Sequence, residues 1–123
     1  MKKRIVAIVT ANERTVSRHI ALAKKIVFYR LPEGEKMETA ENPVLRRIRD
    51  EGIELGKMNE GARHLGTGRI IPEFLAKKGA DIFVAATIGE GMRQNLLEAG
   101  IRPVEATGSI EEILEKLKKG DMS

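Results

Sequence analysis

His19 and His64 are the only two imidazoles in a chain of 123 residues that contains no cysteine. Without thiols, disulfides, cysteine nucleophiles and all-thiolate metal sites are excluded together. Any metal must then be held by imidazole, carboxylate, backbone or an exogenous ligand. A neutral imidazole ligates iron well, so both histidines are candidate metal ligands. Three glycine-bearing segments, Gly66-Thr67-Gly68-Arg69, Gly89-Glu90-Gly91 and Thr107-Gly108-Ser109, stand where helices are expected to begin. Unpaired N–H groups and the positive end of the helix dipole make such places receptive to anions. Arg63 and Arg69 flank the first segment and supply charge for a polyanion. Each signal has an ordinary explanation, because loop histidines often cap or decorate a surface and GxG often marks tight packing. Their convergence is what carries weight.

The constellations of an enzyme are thin by comparison. Ser17 and His19 are too near in sequence to form a triad without a positioned third group. Asp81 belongs at the start of a strand, and Glu13 and Glu90 are too few for a two-metal nuclease. The residues favour binding over catalysis. An enzyme acting on a small phosphorylated substrate, and a regulatory module docking a partner protein, remain as alternatives.

Net charge is +4, which favours anionic partners. The charges are interspersed, however, and a solvated surface of mixed sign accounts for most of them. Nucleic acid is disfavoured: only Phe28, Tyr29, Phe74 and Phe83 could stack on bases, and apparent core runs claim two of them. No apolar run reaches membrane-spanning length. The basic then apolar start, Met1 to Val9, is short, β-branched and without a cleavage site. It reads as a first strand of a cytoplasmic protein. Many Lys, Arg and Glu with no Cys or Trp would suit a thermophile.

These residues need a scaffold. Residues 4–10 are nearly continuously apolar, as in a strand buried on both faces. Residues 25–31 and 35–41 flank Pro32-Glu33-Gly34 turn chemistry and predict a hairpin. Residues 11–24 read as a loop with a possible helical turn from Ser17. Asn42-Pro43 reads as an N-cap and first helical residue, with Val44, Leu45 and Ile48 on one face and Gly52 as the stop. Glycines crowd residues 53–68, which predicts a mobile loop. A helix follows with Ile70, Ile71, Phe74 and Leu75 on one face, Pro72 in its first turn and Gly79 at its end. Residues 81–87 form a strand, Met92, Leu96 and Leu97 mark a helix closed by Gly100, and 101–106 form the last strand. Ser109 and Glu112 make a capping box before a stripe of Ile110, Ile113, Leu114 and Leu117.

The order β-β-β-α-β-α-β-α over one domain, residues 1–123, predicts a three-layer α/β fold. Its mixed five-stranded sheet has order 3-2-1-4-5, with strand 2 antiparallel and helices on both faces. Strands 1, 3, 4 and 5 then run the same way. The loops after them, with His19, His64 and the glycine-marked helix starts, open at one rim, where open α/β sheets bind ligands.

Thr15-Val16-Ser17-Arg18-His19-Ile20, a strand, a Glu-Gly turn and Glu41-Asn42-Pro43 resemble the start of the dinitrogenase iron–molybdenum cofactor biosynthesis family. That family typically has Ser-x-His-Phe-Gly-Arg followed by a Glu-Asn-Pro-like segment. Lys78-Gly79-Ala80-Asp81, Ile88-Gly89, Ala99-Gly100-Ile101 and Ala106-Thr107-Gly108 continue the resemblance over most of the chain. Ile20-Ala21 stands where the family has Phe-Gly, and the 44–64 connection is longer than usual. The resemblance implies a ribonuclease-H-like motif and a carrier for iron–molybdenum cofactor or an iron–sulfur cluster precursor, serving a cofactor-assembly or acceptor protein. In this chain His19, His64, Arg63, Gly66, Gly68, Arg69, Gly89 and Gly108 would form that site, with the two histidines on the metal.

Overall fold

The computed structural model describes residues 4–20, 23–46 and 67–120. Five strands form one sheet in the order β3-β2-β1-β4-β5: β1 (Arg4–Thr10), β2 (Lys25–Leu31), β3 (Glu35–Glu41), β4 (Ile82–Ala85) and β5 (Arg102–Glu105). β2 pairs antiparallel with both β1 and β3. β4 runs parallel to β1 and β5 parallel to β4. The expected order and directions are thus the observed ones. β1 is central, and its apolar run is fully buried from Val6 to Val9 because helices cover both faces of the sheet.

The helices are α1 (Thr67–Lys77), α2 (Glu90–Glu98) and α3 (Ile110–Lys119). Alternation along β2 points Phe28 and Tyr29 to opposite faces of the sheet. Phe28 meets Phe74 of α1 with ring centroids 6.1 Å apart. Tyr29 lines a cavity with Ile110 and Leu114 of α3. α1 and α3 therefore cover opposite faces, and α2 packs beside α1. An irregularity in the β2–β3 register sets Phe28 opposite Glu38 and Tyr29 opposite Lys36, leaving Met37 as the extra residue. Such a bulge, with the charges around it, blunts an edge strand against unwanted pairing.

Local chemistry explains most boundaries. Ser109 caps α3, its hydroxyl accepting from the Glu112 N–H at 3.4 Å, and Gly120 closes it at φ 78°. Basic residues fill the last turn of α3 and acidic ones its first, matching the dipole. Residues 43–46 are helical behind Asn42, as expected; the possible helical turn from Ser17 runs into residues 21 and 22, outside the described residues, and beyond them the Ala23 N–H donates to the carbonyls of His19 and Ile20. The remainder of that short helix and the mobile loop predicted over 53–68 lie outside the described residues, apart from the first two residues of α1.

Two expectations need correction. Pro72 is not in the first turn: α1 starts at Thr67, so the proline is interior. A proline there cannot donate to the carbonyl four residues back, that of Gly68. Asn95 of α2 donates its Nδ2 to that carbonyl instead, at 2.8 Å. The defect in one helix thereby becomes a tie to the next. Leu97, expected on the apolar face of α2, is 59% exposed, while Met92 and Leu96 carry the burial.

Candidate cofactor-binding rim

The loop after β1 is tightly bonded to itself and to its neighbours. Fully buried Thr10 donates its hydroxyl to the Thr15 carbonyl at 2.6 Å and accepts from the Glu13 N–H at 3.0 Å. The Asn12 carboxamide oxygen accepts from the N–H groups of Arg14 and Thr15 at 2.8 and 2.9 Å. Such an Asx turn gives the backbone local partners away from any ladder. It turns Glu13 into the left-handed region, φ 63°. The Glu13 carboxylate then meets Lys25 at 2.9 Å and Lys36 at 3.0 Å. Hydrogen bonds from Lys25 first, and Lys36 second, lower its pKa from 4.5 to about 2. This acid is a staple between the loop and the β2–β3 hairpin rather than a general base.

The same loop is fastened across the rim. Val16 donates to the Gly108 carbonyl at 3.0 Å, Ile110 to Arg14 at 2.9 Å, and Ser17 back to Val9 at 2.9 Å. His19 follows, and it is exposed. Its carbonyl accepts from the Ala23 N–H at 3.0 Å and from the Ser17 hydroxyl at 3.3 Å. Asn42 reaches this turn from the end of β3: its Nδ2 donates to the carbonyls of Ile20 at 2.6 Å and Ala23 at 2.8 Å. Its Oδ1 meanwhile accepts from Val44 at 3.0 Å as the expected N-cap.

The entrances of α1 and α2 are built differently. Gly89 is the N-cap of α2 and offers no side-chain cap. A Cβ at Gly89 or Gly91 would meet nothing within 4 Å, so tight packing does not require glycine at either. No side chain caps the start of α2. Gly68 lies against the first turn of α2, where a Cβ would come 3.7 Å from the Met92 nitrogen. The two helix starts are adjacent. At the end of β5, Glu105 accepts from the Ile88 N–H at 2.8 Å and pairs with Arg93 at 3.2 Å, which fixes the loop leading to Gly89. Gly108 does need to be glycine, with φ 94°.

Of the expected site residues, His19, Gly68, Gly89 and Gly108 stand on the loops or helix starts of the rim. Arg69 begins on α1, but its side chain lines the open groove between α1 and α2 with Pro72, Glu73, Ala76, Asn95 and Glu98. No hydrogen bond or ion pair links His19 to Gly68, Arg69, Gly89 or Gly108 among the described residues. Arg63, His64 and Gly66 lie outside those residues. Sequence reasoning missed the Asn42 carboxamide as a clamp, and Glu105 altogether. The Asn-Pro pair signalled a cap, but nothing local to it points to carbonyls some twenty residues away. Asp81 sits at the far end of β1, its carboxylate accepting from the Ile5 N–H at 2.9 Å. No group of three or more metal-binding side chains occurs among the described residues. None of their helices is long and apolar enough to cross a membrane.

Open α/β sheets commonly bind ligands at the rim where their loops and helix starts gather. The chain belongs to the dinitrogenase iron–molybdenum cofactor family, whose pattern matches residues 2–120. Its fold is similar to that of the apo form of the orange protein from Desulfovibrio gigas, at 16% identity and TM-score 0.72, covering 98% of this chain and 91% of that one. A Thermotoga protein described as a candidate NifB protein matches at 21% identity and TM-score 0.65, over 98% and 91% of the two chains. A Methanocaldococcus jannaschii protein described as a candidate dinitrogenase matches at 17% and 0.61, over 100% and 95%. No curated protein matches the sequence significantly.

Proposed function

We propose that this protein is a non-enzymatic carrier, in the cytoplasm, for iron–molybdenum cofactor or a related iron–sulfur precursor, passed to a cofactor-assembly or acceptor protein. The cluster is cargo. The observation that carries this reading is the pairing, on one rim, of an exposed imidazole on a fastened backbone with an uncapped helix start. An imidazole supplies a single metal bond, and the N–H groups of α2 near Gly89 hydrogen-bond the cluster's anionic sulfurs. Arg69 adds positive field from α1, Gly68 brings the start of α1 close against that of α2, and Gly108 keeps the backbone accessible on the other side. On sequence grounds His64, with Arg63 and Gly66, forms the second half of the grip. Without a thiolate, the attachment is weak enough to reverse, as a carrier requires.

Anaerobic titration with extracted iron–molybdenum cofactor, followed by absorption and gel filtration, tests the reading. Wild type should bind, and His19→Ala and His64→Ala should each bind about 10–100-fold more weakly. His64→Ala should lose more, because an arginine precedes His64 directly and a helix start follows it. Full affinity in both folded variants would remove the histidines from the site.

A further inference from the structure

Asn42 is one of only two fully buried polar or charged residues in the described core, the other being Thr10. It sits at the exit of β3, yet three of its hydrogen bonds go to the loop that carries His19. Its backbone N–H donates to Lys24 at 3.1 Å, and its Nδ2 donates to the carbonyls of Ile20 and Ala23. The cap to Val44 uses only Oδ1. A carboxamide is the side chain that can do both jobs at once, accepting on one side and donating twice on the other. Aspartate has the same shape but would turn an oxygen toward two carbonyls. Serine would preserve a cap but fall short of the loop.

The position of these bonds matters. The His19 carbonyl is held by Ala23 and Ser17, and the next carbonyl, of Ile20, by Asn42 at 2.6 Å. Consecutive peptide groups beside His19 are thus fixed while its imidazole remains exposed. An exposed ligand on a free loop would lose conformational entropy on binding, and a ligand on a fastened backbone loses less. Buried donors aimed at a loop's carbonyls also make release costly, since each carbonyl would be left without its partner.

We infer that Asn42 is a positioning residue for His19: its carboxamide, anchored at the β3 exit, holds the backbone on which the imidazole is presented to the cluster. This rests on the carrier reading, in which His19 is a ligand. The test separates the two. In apo protein carrying His64→Ala, the single remaining imidazole gives NMR signals from His19 alone. Asn42→Ser, which keeps a capping hydroxyl, should move those signals to unstructured-loop positions while the signals of β1 and β4 stay native. Anaerobic titration with extracted iron–molybdenum cofactor should show Asn42→Asp and Asn42→Ser weakened about 10–100-fold relative to wild type. In a His19→Ala background the same substitutions should change affinity by less than about twofold, since residues acting through one another are not additive. Should Asn42→Asp fail to fold, Asn42→Ser supplies both readouts. Native His19 signals in folded Asn42→Ser, or losses that add to that of His19→Ala, would overturn the inference. If His19→Ala binds like wild type, the ligand reading falls as well; if His19→Ala is weak and Asn42→Ser is not, only this inference falls.

Discussion

The two halves of the rim are built on opposite plans. The loop after β1 is fastened from within and from the β2–β3 hairpin: Thr10, Asn12 and Asn42 hold its backbone, and Glu13 ties it to Lys25 and Lys36. The turn after β4 is short, fixed by one carboxylate from β5, and runs into a helix start that nothing caps. The first half spends polar side chains on rigidity and leaves an imidazole exposed. The second leaves backbone donors bare. On the carrier reading, a site assembled this way would have one fixed point and one receptive surface, suited to a cargo that is held and then released.

The largest effect should come from breaking the fastened half. Thr10→Val removes a hydroxyl that serves both the Thr15 carbonyl and the Glu13 N–H in a fully buried place. Unpaired groups of this kind cost about 1–3 kcal/mol, so the urea midpoint should fall accordingly at an unchanged slope. A loss below about 0.5 kcal/mol would mean that water replaces the hydroxyl.

A smaller effect is expected where α1 meets α2. Asn95→Ala leaves the Gly68 carbonyl to solvent and should cost about 0.5–1.5 kcal/mol. Pro72→Ala restores a backbone donor to that carbonyl, so Asn95→Ala should cost less in that background. Equal costs in both backgrounds would show that the proline and the carboxamide are unrelated.

Gly89→Ser sharpens the comparison further. Its side chain has open space and supplies the missing cap, so stability should rise by a few tenths of a kcal/mol. On the carrier reading, binding of the cofactor should weaken, because the hydroxyl takes a donor proposed for the cluster. A gain in stability with unchanged affinity would remove α2 from the site.

Glu13→Gln gives the smallest and most pH-dependent change. The folded pKa lies near 2, below the ordinary 4.5, so the stabilisation is present above pH 4.5 and fades as pH falls through about 2. Wild type should therefore exceed Glu13→Gln in thermal stability at neutral pH and converge with it toward pH 2. A difference undiminished at pH 2 would have another source.

The contrast between the halves also marks what could be read in advance. The sheet was legible because β1 is apolar throughout, the Pro32–Gly34 turn signals a hairpin, and the later strands alternate with helix patterns. The Ser109 cap is a local rule and was equally readable, whereas the left-handed φ that requires glycine at 108 emerges only in the structure. Asn42, Glu105 and Asn95 act on carbonyls or amides 17 to 27 residues away. Only tertiary packing selects such partners, and no spacing announces them. Leu97 shows the same limit in reverse: periodicity put it on the apolar face, yet the short α2 buries only Met92 and Leu96.

The central claim is that the cluster sits on the rim, touching both halves. Backbone amide NMR of the protein with and without extracted iron–molybdenum cofactor, under anaerobic conditions, tests it most directly, because a paramagnetic cluster broadens nearby signals. Broadening should centre on residues 17–20, 88–92 and 107–110, while Asp81, Gly79 and Gly100 at the opposite end stay sharp. Broadening centred on that opposite end, or on the α1–α2 groove around Ala76 and Ala99, would contradict the account.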